Sequence, residues 1–369
     1  MSSQVYVGNK YALTFPVMCD GYLKIDYSDN VATQDYGIFN HDDSFTVEAI
    51  ITPFDINGFG FKLAGSNSPA STVGVVDSIK TMPTVQEYNM TDSNMQSHVY
   101  RPEANRITDK MMIFYNGSVQ LYLQNATVTT HNQPAEYKIG MDVTAGSVSD
   151  TLLSDIAIGS SLEHTGEGAV FHGEDSVVKY VAASANVNTH TAGSDEFVHN
   201  GANGADDHFW VGQELFTLSG QTFTSIGKVN SVTSDLSKVV ELDAVVAADL
   251  DGQALYTHAN REALYLANSF HIAWAFNLAS GNMAIYLNGQ RIATKKHSNA
   301  TASSFDFSFV AEDSYMGQDP NTGTPTQFMG QMHEIAFIEG YKTEYNSLFT
   351  LAPNFNKTLL YYRFEEVSL

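Results

Sequence analysis

The strongest catalytic candidates in the sequence are the carboxylates of Glu334 and Glu339, which flank the apolar run at residues 335–338. A retaining glycosidase needs two carboxylates ~5–5.5 Å apart, which a single strand supplies from positions on one face. Residues five apart point to opposite faces of a regular strand. We therefore expect no hydrolytic pair here, and no other carboxylates in the chain approach the required spacing.

A second catalytic possibility is the dipeptide His333-Glu334, which begins like a zinc metalloprotease helix. That motif requires histidine at position 337, where this chain has Phe337. The twelve histidines are scattered, and pairs such as His164 and His172 lie eight apart in an acidic stretch. Nucleophile elbows, phosphate-binding loops and dinucleotide fingerprints are also absent from the sequence. The sequence therefore predicts a protein that is not an enzyme.

Calcium is the one cofactor that the sequence leaves open. This ion takes six to eight oxygen ligands from carboxylates, amide side chains and backbone carbonyls. Loops with such groups carry Asp29, Asp42, Asp43 and Asp319. Hydrated turns are the alternative interpretation in a chain with 41 acidic residues.

Methionine and tyrosine are dense between residues 82 and 115. The candidate contact residues are Met82, Tyr88, Met90, Met95 and Tyr100. Adaptable or amphipathic side chains of these types suit a protein–protein contact. A platform for sugar binding is the alternative.

The composition excludes several classes of partner. The 369 residues include 41 acidic and 18 basic side chains, for a formal net charge of −23. So acidic a chain repels phosphate backbones, and its only adjacent basic pair is Lys295-Lys296. We therefore expect no nucleic-acid binding.

The chain also lacks the marks of a disulfide-stabilised or membrane protein. Cys19 is the only cysteine, which excludes an intrachain disulfide framework. The first residues contain no apolar signal region, and no run approaches the ~18 apolar residues of a membrane span. We expect neither export by an N-terminal signal nor membrane insertion.

The elements that must position any site are predicted to be strands, since the dominant hydrophobic period is two. Residues 45–51 show this spacing, and Asn116-Gly117 and Asn288-Gly289 each separate two strand-like runs. Asn-Gly accepts the positive φ angles of a tight hairpin. Trp274 and Phe337 lie at period-two positions and are predicted core residues. The fold class is therefore predicted to be all-β.

One stretch differs in composition. Residues 139–227 hold twelve acidic side chains against the single cation Lys179. Residues 161–207 contain an especially polar run, predicted to be an acidic loop or linker, and residues 208–259 contain several short strand-like segments. We interpret the latter as a small β-barrel inserted into a discontinuous domain made of residues 1–160 and 260–369.

The flanking parts resemble laminin-G/concanavalin-A-like jelly-roll domains. The segments that show the resemblance are YALTFPVMCDGYLKI (11–25), DSFTVEAIITPF (43–54), FHIAWAFNLASGNMAIYLNGQRIA (270–293), FMGQMHEIAFI (328–338) and LYYRFE (360–365). Two departures stand out, since Phe270 and Ile272 replace residues of the usual Trp-His-His opening, and the segment 65–109 is unusually long. The resemblance implies a jelly-roll β-sandwich, a fold whose members often hold calcium at the rim.

The predicted barrel is similar to small KOW/Src-homology-3-like modules in structural proteins of tailed, especially marine, bacteriophages. The motifs that show this similarity are VGQELF (211–216) and IGKVNSV (226–232). The resemblance implies a virion structural protein: a capsid decoration, fibre or tail-associated protein that binds neighbouring virion proteins and forms a homo-oligomer. The alternatives are a glycan-binding adhesin that recognises host surface glycans and, third, a divergent glycan hydrolase.

Overall fold

The computed structural model describes part of the chain, and the account below concerns only those residues. They are 13–15, 22–25, 44–53, 61–62, 99–100, 110–125, 137–145, 147–158, 169–171, 178–220, 222–234, 236–260, 269–298, 314–319, 326, 328, 330–345, 351 and 357–363.

Almost all regular structure in these residues is β-strand, with one short 3-10 turn at Ala205–Asp207. The strands are β1 Leu13–Phe15, β2 Leu23–Ile25, β3 Phe45–Pro53, β4 Phe61–Lys62, β5 Val99–Tyr100, β6 Lys110–Tyr115, β7 Val119–Asn125, β8 Tyr137–Ala145, β9 Val148–Ile158, β10 Ala169–Phe171, β11 Val178–Ala182, β12 Val187–His190, β13 Ser194–His199, β14 Glu214–Ser219, β15 Thr222–Val232, β16 Val239–Val246, β17 Tyr256–Asn260, β18 Phe270–Asn277, β19 Asn282–Leu287, β20 Gln290–Lys296, β21 Ser314–Met316, β22 Gly330–Glu339 and β23 Thr358–Arg363. Within the described ranges, no helix is long and apolar enough to cross a membrane.

Two antiparallel sheets form a β-sandwich. The first sheet has the order β1-β22-β3-β18-β19-β20, with β23 beside β22, and the second has the order β2-β21-β6-β7-β8-β9. Both sheets combine strands from before residue 160 with strands from after residue 260. The predicted all-β sandwich is confirmed.

The sandwich core follows from the period-two spacing of the strands. Alternate residues of β3 and β18, including Val47 and Trp274, point inward and pack on side chains of the second sheet such as Ile139. Trp274 also donates its indole N–H to the backbone oxygen of Gly140, at 2.9 Å. The predicted core positions of Trp274 and Phe337 are confirmed.

Both predicted Asn-Gly hairpins are present. Asn116 and Gly117 lie between β6 and β7, and the Asn116 side chain accepts the N–H of Val119 at 2.8 Å. Asn288 and Gly289 join β19 to β20 with φ angles of 49° and 80°. These left-handed conformations explain why an Asn-Gly pair stands there.

A third sheet lies within the chain between the two halves of the sandwich. Its order is β10-β11-β17-β14-β15-β16-β13-β12. We call residues 178–260 the inserted unit, because its strands β12 to β16 enclose a separate core that includes Phe197, Leu215 and Val240, whereas Val181 of β11 belongs to the sandwich core. The strand order is an open path, so a closed barrel stays a prediction. Backbone N–H groups of Ala183 and Val187 nevertheless reach the oxygens of Leu255 and Gln253.

The prediction that residues 161–207 form a loop or linker was wrong for its described parts. Four strands, β10 to β13, lie in this range. These strands form because β11 pairs with β17 and β13 pairs with β16, and asparagine side chains add hydrogen bonds to neighbouring backbone groups. The Asn186 side chain accepts the N–H of Leu255, and Asn200 accepts the N–H of Asn186. Small buried residues such as Ala185 complete the packing.

Candidate functional site

A cleft of about 430 Å³ lies between the first sheet of the sandwich and the inserted unit. This volume falls within the ~300–1,000 Å³ usual for ligand pockets. The lining residues are Asp206, Phe209, Trp210, Val211, Gly212 and Val232 from the inserted unit, and Asn282, Tyr286, Gly289, Gln290, Arg291, Thr294 and Thr343 from the sandwich.

The sandwich wall of the cleft is the hairpin of β19 and β20. The turn at Asn288-Gly289 brings Gln290 and Arg291 next to Tyr286. Arg291 donates from Nη2 to the hydroxyl of Tyr286 at 2.7 Å and to the hydroxyl of Tyr341 at 3.2 Å. Burial alone would lower the pKa of Arg291, but Tyr341 and Tyr286 raise it overall. The cleft therefore contains a fixed positive charge.

Residues 340–345, which we call the strap, cover the outer face of the first sheet and supply Thr343 to the cleft. Thr46 anchors the start of the strap by donating its hydroxyl to the Gly340 oxygen at 2.7 Å and accepting the Lys342 N–H at 3.0 Å. Tyr345 packs over Tyr286 with ring centroids 4.8 Å apart. The strap therefore holds the aromatic part of this wall in place.

Beneath the strap lies a buried ionic group. Nε2 of His271 is 3.0 Å from a carboxylate oxygen of Glu48, and the ammonium of Lys342 bonds the other oxygen. Burial alone would raise the pKa of Glu48, but the hydrogen bonds from His271 and Lys342 lower it overall. These three side chains bond one another and thereby hold the strap, which supplies Thr343 to the cleft.

The inserted unit supplies the opposite wall. Phe209 and Trp210 are buried, whereas Val211 is 66% exposed at the cleft. The neighbouring Asp206 has a raised pKa, because of burial first and the charge of Asp207 second. Asp206 and Arg291 thus give the cleft one acidic and one basic side chain.

Asp207 connects the two walls. Its carboxylate accepts the backbone N–H of Lys296, the last residue of β20. Since β20 is the end strand of the first sheet, this N–H points away from β19 toward the inserted unit. The carboxylate therefore occupies one position on an edge of β20 with which no other described strand pairs.

The carboxylates singled out in the sequence lie elsewhere. Glu334 pairs with Ile50 on the outer face of the first sheet, whereas Glu339 pairs with Phe45, whose side chain belongs to the sandwich core. The two glutamates thus belong to opposite faces, as their spacing predicts. Glu334 is fully buried and accepts hydrogen bonds from the Leu351 N–H and the Tyr361 hydroxyl.

His333 has a structural position on the same strand. Its Nε2 lies 2.9 Å from the hydroxyl of Thr52, and the strand pairing is irregular at this residue. Burial lowers the pKa of His333.

Of the four calcium candidates, Asp29, Asp42 and Asp43 lie outside the described residues. Asp319 is buried, and its backbone N–H donates to the Thr326 hydroxyl at 2.9 Å. Within the described ranges, no group of three potential metal ligands comes together. Calcium binding stays a prediction.

Most of the predicted contact residues also lie outside the described residues; these are Met82, Tyr88, Met90 and Met95. Tyr100 is described as part of β5, where it pairs with Phe61.

Sequence reasoning did not identify the cleft. Arg291 and Tyr286 stand in the recognised hairpin, and Asp206 was only one acid among twelve. The available signal was Arg291, two residues after the Asn288-Gly289 turn, in a chain with few cations. Its partner across the cleft could not be read from the chain because the two residues are distant in sequence.

Comparisons with known proteins leave the family open. No family model matches the chain, and no curated protein matches it. Among solved structures, similarity is found to a Bacteroides ovatus protein to which carbohydrate binding is ascribed, at 14% sequence identity. The alignment covers 89% of this chain and 86% of that one, with a TM-score of 0.21, which is too low to support an argument about fold or function.

Proposed function

We propose that this protein is a non-enzymatic structural component of a tailed-phage virion, acting as a capsid decoration, fibre or tail-associated protein. The observation that carries the proposal is that a unit with its own core is inserted into a β-sandwich. This arrangement fits the sequence resemblance to phage structural proteins that contain a small β-barrel module.

The surface of the inserted unit supports a role in contact with other proteins. Val211, Leu236 and Val245 are each more than 60% exposed on this unit. On a repeated viral lattice, many weak contacts of this kind add up through multivalency. Neighbouring virion proteins and further copies of this chain are therefore the proposed partners.

The cleft chemistry supports the non-enzymatic part of the proposal. Glycoside hydrolysis by the usual mechanism needs two carboxyl groups flanking one bond. Asp206 supplies the one carboxylate among the described residues that line the cleft. Glu48 and Glu334 are both buried and hydrogen-bonded.

The proposal is tested by measuring mass in solution and association with particles. Light scattering should show a defined oligomer, or the labelled chain should cosediment with particles of the phage that encodes it. The proposal is overturned if the chain stays monomeric and does not cosediment with the particles. The control is the same chain unfolded and rapidly diluted, which measures nonspecific sedimentation.

A second candidate function is binding of a host glycan, and the cleft is the observation that favours it. The cleft presents the polar side chains of Asn282, Gln290 and Arg291 in walls that contain the largely buried rings of Tyr286 and Trp210, and a pocket with a few such polar groups suits a sugar. Titration calorimetry with an oligosaccharide panel tests this candidate, with and without a calcium chelator. Gln290→Ala should weaken such binding, because the Gln290 side chain is exposed at the cleft.

A further inference from the structure

The guanidinium of Arg291 lines the cleft and is held there by two tyrosine hydroxyls. Nε and Nη2 donate to the Tyr286 hydroxyl at 3.1 and 2.7 Å, and Nη2 also donates to the Tyr341 hydroxyl at 3.2 Å. Within the described part of the chain, Nη1 has no hydrogen-bond partner, and the side chain is partly exposed. The tyrosines therefore fix the guanidinium and leave Nη1, with its two N–H groups, for a ligand.

The positive charge of Arg291 is not cancelled by the other groups of the cleft. Burial raises the pKa of Tyr341, so its hydroxyl stays protonated and neutral at physiological pH. Asp206 on the opposite wall is acted on by other charges, which are those of Asp207, Lys296 and His208. The groups that act on Arg291 are tyrosines. Asp206 and Arg291 thus line one cleft without forming an ion pair.

Neighbouring cations show how a partly buried charge is usually paired in this chain. Lys295 bonds the Asp150 carboxylate at 3.0 Å, and Lys342 bonds the carboxylate of Glu48. Among the described residues, no carboxylate bonds Arg291, although the chain has 41 acidic and 18 basic side chains. A guanidinium binds a carboxylate through parallel N–H bonds. This guanidinium is therefore suited to a carboxylate from a ligand.

The remaining polar side chains of the cleft suit hydroxyl groups. They are amides and hydroxyls, which both donate and accept hydrogen bonds: Asn282, Gln290, Thr294 and Thr343. Asp206 on the opposite wall can accept an O–H group. A sugar that carries a carboxylate satisfies both charged side chains, because its carboxylate bonds Arg291 while its hydroxyls donate to Asp206. An acidic peptide offers the carboxylate without the hydroxyls.

We propose that this cleft binds an acidic sugar, with the sugar carboxylate on Arg291 and the sugar hydroxyls on Asp206, Asn282 and Gln290. The inference rests on the glycan-binding candidate and deepens it by naming the class of sugar. The neutral tyrosines keep the guanidinium in place, and the polar side chains around it select a ligand rich in hydroxyls.

The experiment compares acidic sugars with neutral counterparts of the same size on the full chain. The probes are trigalacturonate and 3′-sialyllactose, each measured by titration calorimetry beside its own methyl ester. The ester keeps the rings and hydroxyls and removes the charge. At least one acid should bind about tenfold more tightly than its ester, because hydrogen bonds between charged groups are the stronger ones.

Variants of Arg291 assign this preference to the cleft. Arg291→Gln should remove the preference for the acid over the ester, because the charge is lost. Arg291→Lys keeps the charge but loses the parallel N–H groups, so it should retain part of the preference. The matched control is Lys228→Gln, which removes an exposed cation of the inserted unit and should leave the preference unchanged. Should Arg291→Gln fail to fold, the acid–ester comparison on the unaltered chain and on Arg291→Lys still decides the outcome.

Three results would each overturn the inference. In the first, both acids bind no better than their esters. In the second, folded Arg291→Gln keeps the full preference for the acid. In the third, a tetraglutamate peptide binds in the cleft more tightly than either acidic sugar, which would assign the site to an acidic peptide.

The same measurements separate this inference from the functions on which it depends. If a neutral oligosaccharide binds in the cleft and the acids show no preference, glycan binding stands and the acidic-sugar inference is wrong. If no sugar binds, both are wrong. A chain that binds an acidic sugar but stays monomeric and does not cosediment with particles overturns the virion role alone.

Discussion

Glu48 and His271 are 223 residues apart in the chain, yet their side chains meet at 3.0 Å beneath the strap. Both side chains are almost fully buried. Lys342 of the strap completes the group by bonding the second carboxylate oxygen of Glu48. This contact holds the strap on the sheet that forms the sandwich wall of the cleft.

Glu48→Gln should destabilise the chain by about 2–3 kcal/mol, because it removes the charge that pairs with Lys342 and His271 in a buried place. Denaturant unfolding measures this change. Glu339→Gln is the matched control on an exposed site and should stay within about 0.5 kcal/mol. An equally small effect of Glu48→Gln would show that the ionic group does not hold the strap.

The Glu48 contribution should depend on pH in a defined direction. Its pKa is lowered in the folded chain from the ordinary value of 4.5. The stabilisation is therefore fully present above pH 4.5 and is lost as the pH falls through the lower folded value. The stability difference between Glu48→Gln and the unaltered chain should shrink below pH 4.5. A difference that grows on acidification would contradict this assignment.

His199 should make the inserted unit sensitive to mild acid. Burial first, and then the charges of His208 and Lys238, lower the pKa of His199 from 6.5 to about 4. The folded unit therefore favours the neutral ring, so stability is full above pH 6.5 and declines between pH 6.5 and 4. The loss should be about 2–3 kcal/mol. Hydrogen exchange of β13 amides measures it, and His199→Gln should show a flatter profile; an unchanged slope would contradict the prediction.

Trp274→Phe should cost about 1–3 kcal/mol, because the Gly140 oxygen loses its buried indole donor and the ring volume falls. The variant also leaves Trp210 at the cleft as the only tryptophan in the chain. Its fluorescence should then change on addition of an oligosaccharide that binds in the calorimetric titration. Unchanged Trp210 emission during that binding would place the sugar away from the cleft.

Gly140→Ala should destabilise the sandwich by about 1–3 kcal/mol. A β-carbon at this position would clash with the ring of Tyr122. That ring has little room to move, since it is buried and its hydroxyl donates to Asp142 at 2.8 Å. Thermal unfolding measures the effect. The double variant with Tyr122→Leu should recover part of the loss, and a lack of coupling would show that another contact resists the methyl group.

The sequence by itself determined the features whose causes are local. Period-two spacing predicted the strands of the sandwich and the core positions of Trp274 and Phe337, since strand faces alternate residue by residue. The Asn-Gly pairs predicted two hairpins, because their backbone conformations depend on the residue types at the turn.

Only the tertiary structure decided the features that join distant segments. The polar run before residue 207 forms strands because its backbone pairs with residues near 240 and 255, and its own composition does not show this. Likewise, Asp206 and Arg291 share a cleft because the inserted unit lies against β20. Hydrophobic spacing reports which face of a strand is buried, but it carries no information about which other strand, or which open edge, that face will meet.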